Sequence, residues 1–159
     1  NNYTSALMSK YVATLANGGT RYSMHFLNKI TTNDGKIEEE YQPKVESKIE
    51  IKKENLDAIF RGMFLVTTGP RGTLRSYFKD FPVNVAAKSG TAQQSSKRSE
   101  HTTFVAFAPL EDPQISVCVI IPFGNGTTGP APKVAKAAIS EYLKLDYESE
   151  LKSYDTLLH

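Results

Sequence analysis

A short apolar run that passes directly into a polar tetrapeptide is the feature that most constrains the fold of this chain. Residues 83–87 (Val-Asn-Val-Ala-Ala) lead into Lys88, Ser89, Gly90 and Thr91. Because successive side chains alternate between the two faces of a strand, Lys88 and position 90 share one face and Ser89 lies on the other. A side chain at position 90 would fill the space that Lys88 reaches into. The sequence therefore predicts a strand that carries a cation beside an unobstructed surface.

Hydrophobic periodicity predicts four helices in the rest of the chain. A helix over residues 4–16 is expected to end at Asn17-Gly18-Gly19, because glycine adopts the left-handed conformation that terminates helices. Residues 53–66 carry apolar side chains on one face of a second helix, residues 73–78 form a short third one, and a final helix begins near Pro132. The predicted buried stripes are Met8, Tyr11, Val12 and Leu15 in the first helix, and Val134, Ala138, Ile139, Tyr142 and Leu143 in the last.

The strand pattern predicts an antiparallel sheet. Strands are expected at residues 83–93, 101–108 and 114–121, with connections of hairpin length that include a polar loop over residues 94–100. Upstream, we expect a strand over residues 22–31, a turn at residues 33–35, and an exposed strand and loop over residues 36–50. Helices flanking an antiparallel sheet, with the tetrapeptide strand at its edge, define an α+β fold.

Composition excludes several classes of function. The 159 residues are 40% hydrophobic and 23% charged, which suits a single soluble globular unit. A net charge of +2 with scattered basic residues gives no indication of nucleic-acid binding. Cys118 is the only cysteine and sits in an apolar strand pattern, so we expect a buried, inert thiol. The three histidines are not spaced for a shared metal, so neither a metal site nor a cofactor is predicted.

Four segments occur together in a characteristic order. They are residues 11–21 (YVATLANGGTR), Gly62-Met63 with residues 69–73, Lys88 to Thr91, and residues 103–109 (TFVAFAP). In this combination they resemble the C-terminal part of the transpeptidase domain of monofunctional (class B) penicillin-binding proteins, of the elongation or sporulation type. The resemblance covers roughly residues 3–144. It implies a domain portion over residues 1–144 followed by a tail over residues 145–159.

The resemblance implies a function in building the bacterial cell wall. Enzymes of this family are peptidoglycan D,D-transpeptidases, which cross-link stem peptides ending in D-Ala-D-Ala and are acylated by β-lactam antibiotics. Their catalytic domains lie on the extracytoplasmic face of the membrane, with an anchor upstream of the region matched here. The expected partners are stem peptides, β-lactams, the upstream part of the same domain, and proteins of the elongation or sporulation complex.

The resemblance also implies roles for the tetrapeptide. Lys88 would help to move a proton and supply positive charge, and the hydroxyls of Ser89 and Thr91 would bind the substrate carboxylate. Gly90 would let the substrate lie against the strand, and the Thr91 N–H would form half of an oxyanion hole. The family usually has threonine at position 89, and serine keeps the hydroxyl.

The two other motifs of the family are expected upstream. They are the Ser-x-x-Lys motif, which carries the acylated serine, and a Ser-x-Asn motif. Ser76 and Lys79 form a Ser-x-x-Lys string, but it lies only a few residues before Lys88, so a serine and a lysine on a short surface helix are the favoured interpretation. We therefore expect this segment to be inactive on its own and the intact protein to be the enzyme.

Two other functions fit the tetrapeptide. A β-lactam sensor or a β-lactamase-like enzyme would share the motif, although segments 62–73 and the elongation-type segments match these classes less well. An inactive homologue that serves only as a scaffold is the alternative outside enzymology. The upstream sequence would separate the enzyme from the inactive relative, and the rate of deacylation would separate a transpeptidase from a β-lactamase.

Overall fold

A computed structural model describes residues 3–92, 99–124 and 129–146 of the chain. In chain order its elements are α1 (Ser5–Ala16), β1 (Thr20–Tyr22), β2 (Lys29–Thr31), β3 (Ile37–Glu40), β4 (Val45–Lys48), α2 (Lys53–Thr68), α3 (Arg75–Phe78), β5 (Ala86–Ala92), β6 (His101–Ala108), β7 (Ile115–Ile121) and α4 (Ala131–Leu143). The four helices and the three C-terminal strands confirm the predicted elements, and the mixed helix and antiparallel-sheet architecture confirms the predicted α+β class.

The central sheet is antiparallel and has the order β5-β6-β7. Its register sets Lys88 opposite Val105, which in turn lies opposite Cys118. Two residues farther along β5, Gly90 lies opposite Thr103. The middle strand is therefore β6, and the strand that carries the tetrapeptide lies at an edge of this sheet, as predicted.

Helices cover both faces of the sheet, so β6 alternates between two separate cores. Phe104 is fully buried on the face covered by α3 and α4, where its ring stacks on Phe78 with centroids 6.2 Å apart. Phe107 is fully buried on the opposite face, against α1 and α2, and its ring centroid lies 4.8 Å from that of Phe60. Burial on both faces explains why residues 104–108 of β6 are continuously apolar instead of alternating.

Helix α1 begins and ends as predicted from local sequence. The Thr4 hydroxyl accepts a hydrogen bond from the Leu7 N–H at 3.2 Å and so caps the first turn. The helix ends where Gly18 and Gly19 adopt positive φ angles of 79° and 108°. A Cβ on Gly19 would also lie 2.2 Å from the Ile49 carbonyl oxygen, so both conformation and close approach require glycine at that position.

The predicted buried stripes of α1 and α4 are partly wrong. Tyr11 is 57% exposed, Val134 is 45% exposed and Tyr142 is 59% exposed. Ile139 is buried as predicted, but Ala138 is exposed, and the rest of the buried side of α4 consists of Ala131, Pro132, Ala135 and Ser140. The side of α4 that packs against the sheet is therefore mostly small, and it is offset from the stripe that hydrophobicity alone indicates.

The predicted strand over residues 22–31 is wrong. The chain makes two separate pairings there: β1 pairs with β4, and β2 pairs with β3. Each pairing contains a register shift, the first between Arg21 and Tyr22 and the second between Ile30 and Thr31. Residues 36–50 consequently contain two exposed strands instead of one. The turn predicted between β2 and β3 is confirmed by Gly35, whose φ is 84°.

Helix α2 ends at the predicted glycine. Gly69 caps the C-terminus of α2 through a hydrogen bond from its N–H to the Leu65 carbonyl, as the predicted break requires. Most of the predicted loop 94–100, residues 125–128 of the next loop and residues 147–159 of the tail lie outside the described residues. Within the described ranges no helix is both long enough and apolar enough to cross a membrane.

Candidate active-site strand

Strand β5 has one open edge. Its seven residues pair with β6 without a register shift, from Ala86 opposite Phe107 to Ala92 opposite His101. Among the described residues no strand pairs with the other edge. An unpaired edge exposes a row of backbone donors and acceptors that can pair with an extended peptide.

Two hydrogen bonds just before β5 establish which backbone groups face this edge. The Asn84 carbonyl accepts from the Leu110 N–H at 2.9 Å and so points toward the β6 side. The next carbonyl, that of Val85, points the other way and accepts from the Thr67 hydroxyl at 2.6 Å. Backbone groups alternate in direction along a strand. The N–H and C=O groups of the odd-numbered residues that follow, Ala87, Ser89 and Thr91, therefore point toward the open edge.

Lys88 extends its side chain from this strand to the exterior. It shares the sheet face of Ala86 and Val105, which α1 and α2 cover farther along, but Lys88 itself is exposed. Its ammonium donates a hydrogen bond to the Ser89 carbonyl, which belongs to the outward-pointing set. The cation is thus held beside the open edge.

Gly90 has no structural requirement for glycine within the described residues. Its φ is not in the left-handed region, and a Cβ built on it would lie 3.7 Å from the Thr103 Cβ and 3.8 Å from the Thr103 carbonyl oxygen. Both are ordinary van der Waals distances. At Gly19, by contrast, a Cβ would clash with the backbone of Ile49, so that position requires glycine. Space for a side chain therefore exists next to Lys88 and is left empty on the face that Lys88 occupies.

The two hydroxyls of the tetrapeptide have different surroundings. Ser89 is 7% exposed and shares the face of Ala87, which packs in the core under α4. Thr91 is exposed near the end of the strand. As alternation predicts, Ser89 lies on the opposite face from Lys88. Of the two residues, Thr91 has the side chain that is accessible without any movement of the chain.

The Ser-x-x-Lys string in this part of the chain has the geometry of surface residues. Ser76 is exposed on the four-residue helix α3, and the Lys79 ammonium lies 3.6 Å from the Asp80 carboxylate. This agrees with the interpretation of a serine and a lysine on a short surface helix. A second such string, Ser149 to Lys152, lies outside the described residues.

No group of histidine, cysteine or acidic residues in the described ranges has the geometry to hold a metal ion. Cys118 is half-buried instead of fully buried, and its burial raises the pKa of the thiol above its ordinary value. A raised thiol pKa lowers the thiolate fraction, which agrees with the expected inert role. His25 stacks on Tyr41 in an exposed loop, and the His101 Nδ1 accepts from the Phe123 N–H at 3.2 Å.

Sequence reasoning missed Thr67. This residue is 1% exposed on the sheet-facing side of α2 and hydrogen-bonds the carbonyl just before β5. The available signal was its spacing from Phe60 and Met63, which places a hydroxyl at the next position of an otherwise apolar stripe. A buried hydroxyl requires a partner, but the sequence does not indicate which one.

Comparison with known proteins supports the resemblance carried by these segments. Residues 2–141 match the family model described as the penicillin binding protein transpeptidase domain. Penicillin-binding protein 2B of Streptococcus pneumoniae strain D39 is 31% identical over 154 residues, which cover 90% of this chain and 23% of that protein. The peptidoglycan D,D-transpeptidase MrdA of Escherichia coli K12 is 31% identical over 156 residues, covering 89% of this chain and 24% of that protein.

A solved structure agrees in fold. Penicillin-binding protein 2B from Streptococcus pneumoniae strain R6 superimposes with a TM-score of 0.78 at 29% identity, over 92% of this chain and 26% of that one. The chain thus spans about a quarter of the length of the relatives that it matches. The predicted similarity to class B proteins is confirmed across most of the described residues.

Proposed function

Because this chain belongs to the penicillin-binding protein transpeptidase family, we propose that it is the C-terminal part of a peptidoglycan D,D-transpeptidase domain. Residues 1–144 form this part and residues 145–159 a tail. The observation that carries the proposal is the edge of β5, where the Lys88 ammonium, the unfilled space at Gly90 and the outward-pointing backbone of Thr91 adjoin one another.

The substrate that fits this edge is an extended peptide with a terminal carboxylate, namely the D-Ala-D-Ala end of a stem peptide. Its backbone pairs with the outward groups of Ser89 and Thr91, and its carboxylate lies near the exposed Thr91 hydroxyl and the positive charge of Lys88. β-Lactams carry a comparable carboxylate and occupy the same edge. Because Gly90 has no side chain, the substrate can lie directly against the backbone of β5.

The reaction is acyl transfer to a serine in the upstream part of the domain. The serine oxygen attacks the penultimate carbonyl, the terminal D-Ala leaves with a proton, and an amine of a neighbouring stem then takes the acyl group. Lys88 assists the proton transfer, and the Thr91 N–H stabilises the oxyanion that forms in both steps. The reaction takes place on the extracytoplasmic face of the membrane, where proteins of the elongation or sporulation complex are the expected partners.

Covalent labelling tests this function. The intact protein, incubated with a fluorescent penicillin and separated on a denaturing gel, is expected to be labelled on a serine upstream of residue 1. Residues 1–159 alone are expected to remain unlabelled, because they supply the strand without the nucleophile. Label on Ser76 would show that the surface interpretation of that residue is wrong. An intact protein that takes no label and releases no D-Ala from a D-Ala-D-Ala peptide would contradict the proposal.

A further inference from the structure

The residue just before β5 is attached to helix α2 by a side chain. The Val85 carbonyl faces the same side as the open edge, but it accepts a hydrogen bond from the Thr67 hydroxyl at 2.6 Å. Both residues are almost completely buried, at 1% and 2% exposure. The open edge of the strand therefore begins only after Val85, and Lys88 lies three residues beyond the point of attachment.

The hydroxyl of Thr67 has two acceptors within reach and one hydrogen to donate. The Phe64 carbonyl in its own helix lies at 2.9 Å, against 2.6 Å for the Val85 carbonyl. The Phe64 carbonyl also accepts from the Thr68 hydroxyl at 2.9 Å, whereas the Val85 carbonyl is buried and faces away from β6. Donation to Val85 is favoured, because a buried carbonyl without a partner is costly.

Helix α2 is itself fixed against the sheet. Met63 and Phe60 lie one and two turns before Thr67 on the same side of the helix, and they pack against the core that contains Ala86 and Phe107. A hydrogen bond from this helix to Val85 therefore holds the start of β5 in place relative to α2. From the other side, the Asn84 carbonyl is held by the Leu110 N–H at 2.9 Å.

We propose that Thr67 is a positioning residue for β5: its hydrogen bond to the Val85 carbonyl fixes the position of residues 88–91 relative to α2. This inference rests on the proposed function of β5. A displacement of about 1 Å at a reacting group can cost on the order of a hundredfold in rate. Loss of a contact that holds the start of the strand should therefore slow acylation without removing any group that touches the substrate.

The chain supplies a matched control in the adjacent residue. Thr68 is exposed, and its hydroxyl donates to the Phe64 carbonyl of the same helix. Thr67→Val and Thr68→Val make the same chemical change one residue apart, and Thr67→Ser restores the hydroxyl. The intact protein is used, and the second-order rate of acylation by a fluorescent penicillin is measured well below each melting temperature.

We expect Thr67→Val to lower the acylation rate about tenfold or more, and Thr67→Ser and Thr68→Val to stay within about threefold of the parent. Thr67→Ala is made in parallel and must also slow acylation, so that the test stands if the valine variant does not fold. In Thr67→Val and Thr67→Ala, hydrogen exchange should accelerate at the Ala86 and Lys88 amides more than at the amides of β7.

Two results would overturn the inference. One is a folded Thr67→Val or Thr67→Ala protein that is acylated at the parental rate. The other is a folded Thr67→Ser protein that is as slow as these variants, since the hydroxyl would then not be the cause. A Lys88→Ala variant measured alongside separates the two proposals. If Lys88→Ala is acylated normally, the function assigned to β5 is wrong. If Lys88→Ala is acylated slowly but Thr67→Val is acylated at the parental rate, only the positioning role of Thr67 is wrong.

Discussion

Strands β5 and β6 lie side by side in one sheet, but their surroundings differ. Every residue from Phe104 to Ala108 in β6 is buried, and β6 is paired along both of its edges. Strand β5 is paired along one edge in the described structure, and Lys88, Thr91 and Ala92 are exposed. Packing within the chain accounts for the residues of β6, whereas it does not account for a lysine followed by an unobstructed glycine in β5.

This difference predicts that substitutions in the two strands alter different measurements. Changes in β6 should lower the free energy of unfolding, because they remove apolar contacts or create cavities. Changes at the exposed positions of β5 should leave folding almost unaffected and should slow acylation. All the variants below are made in the intact protein, so that both quantities are measured on the same molecule.

The largest effect on reactivity is expected from Lys88→Ala, which removes the cation without touching the serine. Acylation by penicillin should fall by about 10²–10⁴-fold, the range typical of a positioned proton-transfer group. Lys88→Arg should recover only part of this loss, because a guanidinium does not release a proton at neutral pH. The melting temperature should not change, since Lys88 is exposed. Lys79→Ala, which alters an exposed lysine just after α3, is the control and should react normally.

The counterpart in β6 is Phe104→Ala. This fully buried ring stacks on Phe78, and its removal should lower the free energy of unfolding by about 3–5 kcal/mol. Denaturant unfolding measures this change. Acylation at a temperature where the variant is folded should stay within a few-fold of the parent. A folded Phe104→Ala protein with normal stability but no reactivity would reverse the distinction between the two strands.

Gly90 gives the sharpest separation of folding from reactivity. A Cβ at this position meets only ordinary contacts with Thr103, so Gly90→Ala should keep its melting temperature within a few degrees. The added side chain occupies the face that the substrate must approach, and Gly90→Val should slow acylation more than Gly90→Ala. Paired melting and acylation measurements check this order. A folded Gly90→Val protein that reacts at the parental rate would rule out docking of substrate along this edge.

A smaller effect is expected from Thr91→Val, which replaces an exposed hydroxyl by a methyl group. Loss of a hydrogen bond to a charged carboxylate should cost about 1.5–3 kcal/mol in transition-state stabilisation, read from the acylation rates. Thr91→Ser keeps the hydroxyl and should react almost as the parent does. Equal rates for the valine and serine variants would exclude the side chain of Thr91 from carboxylate binding.

The smallest expected effect lies far from β5, where Glu46 joins α1 to β4. Its carboxylate accepts from Lys10 at 2.7 Å and from Arg21 at 2.9 Å, and these bonds lower the pKa of Glu46 below its ordinary value of 4.5. A carboxyl group with a lowered folded-state pKa contributes stability above its unfolded pKa and loses it as the pH falls through the folded value.

Melting temperatures of the parent and of Glu46→Gln between pH 7 and pH 3 test this contribution. The parent should melt slightly higher at neutral pH, and the difference should shrink toward zero in acid. Glu38→Gln, which removes an exposed carboxylate on β3, is the control for the loss of one negative charge. A constant difference between the parent and Glu46→Gln over this range would mean that the ion pairs contribute nothing measurable.

Local patterns in the sequence were sufficient wherever one element determines its own boundaries. Thr4 and Gly18 fix the ends of α1, and the apolar runs of β6 and β7 are long enough to identify strands with hairpin connections. These features depend on capping, backbone conformation and burial, each of which leaves a local signal.

Features that depend on distant partners could not be predicted in the same way. The pairing of Tyr22 with Val45 and of Lys29 with Glu40 divides what looked like one strand into two, and neither segment carries a pattern that names its partner. The exposure of Tyr142 depends on which side of α4 packs against the sheet. The bond from Thr67 to Val85 joins residues 18 positions apart and is visible only once α2 is packed.

The most direct test of the account is a crystal structure of the intact protein acylated by a penicillin. We predict that the acyl carbonyl oxygen lies about 2.7–3.1 Å from the backbone nitrogen of Thr91. The carboxylate of the bound drug should lie within hydrogen-bonding distance of the Thr91 hydroxyl, on the open edge of β5. An acyl-enzyme in which the drug makes no contact with residues 88–91 would contradict the assignment of this strand as part of the active site.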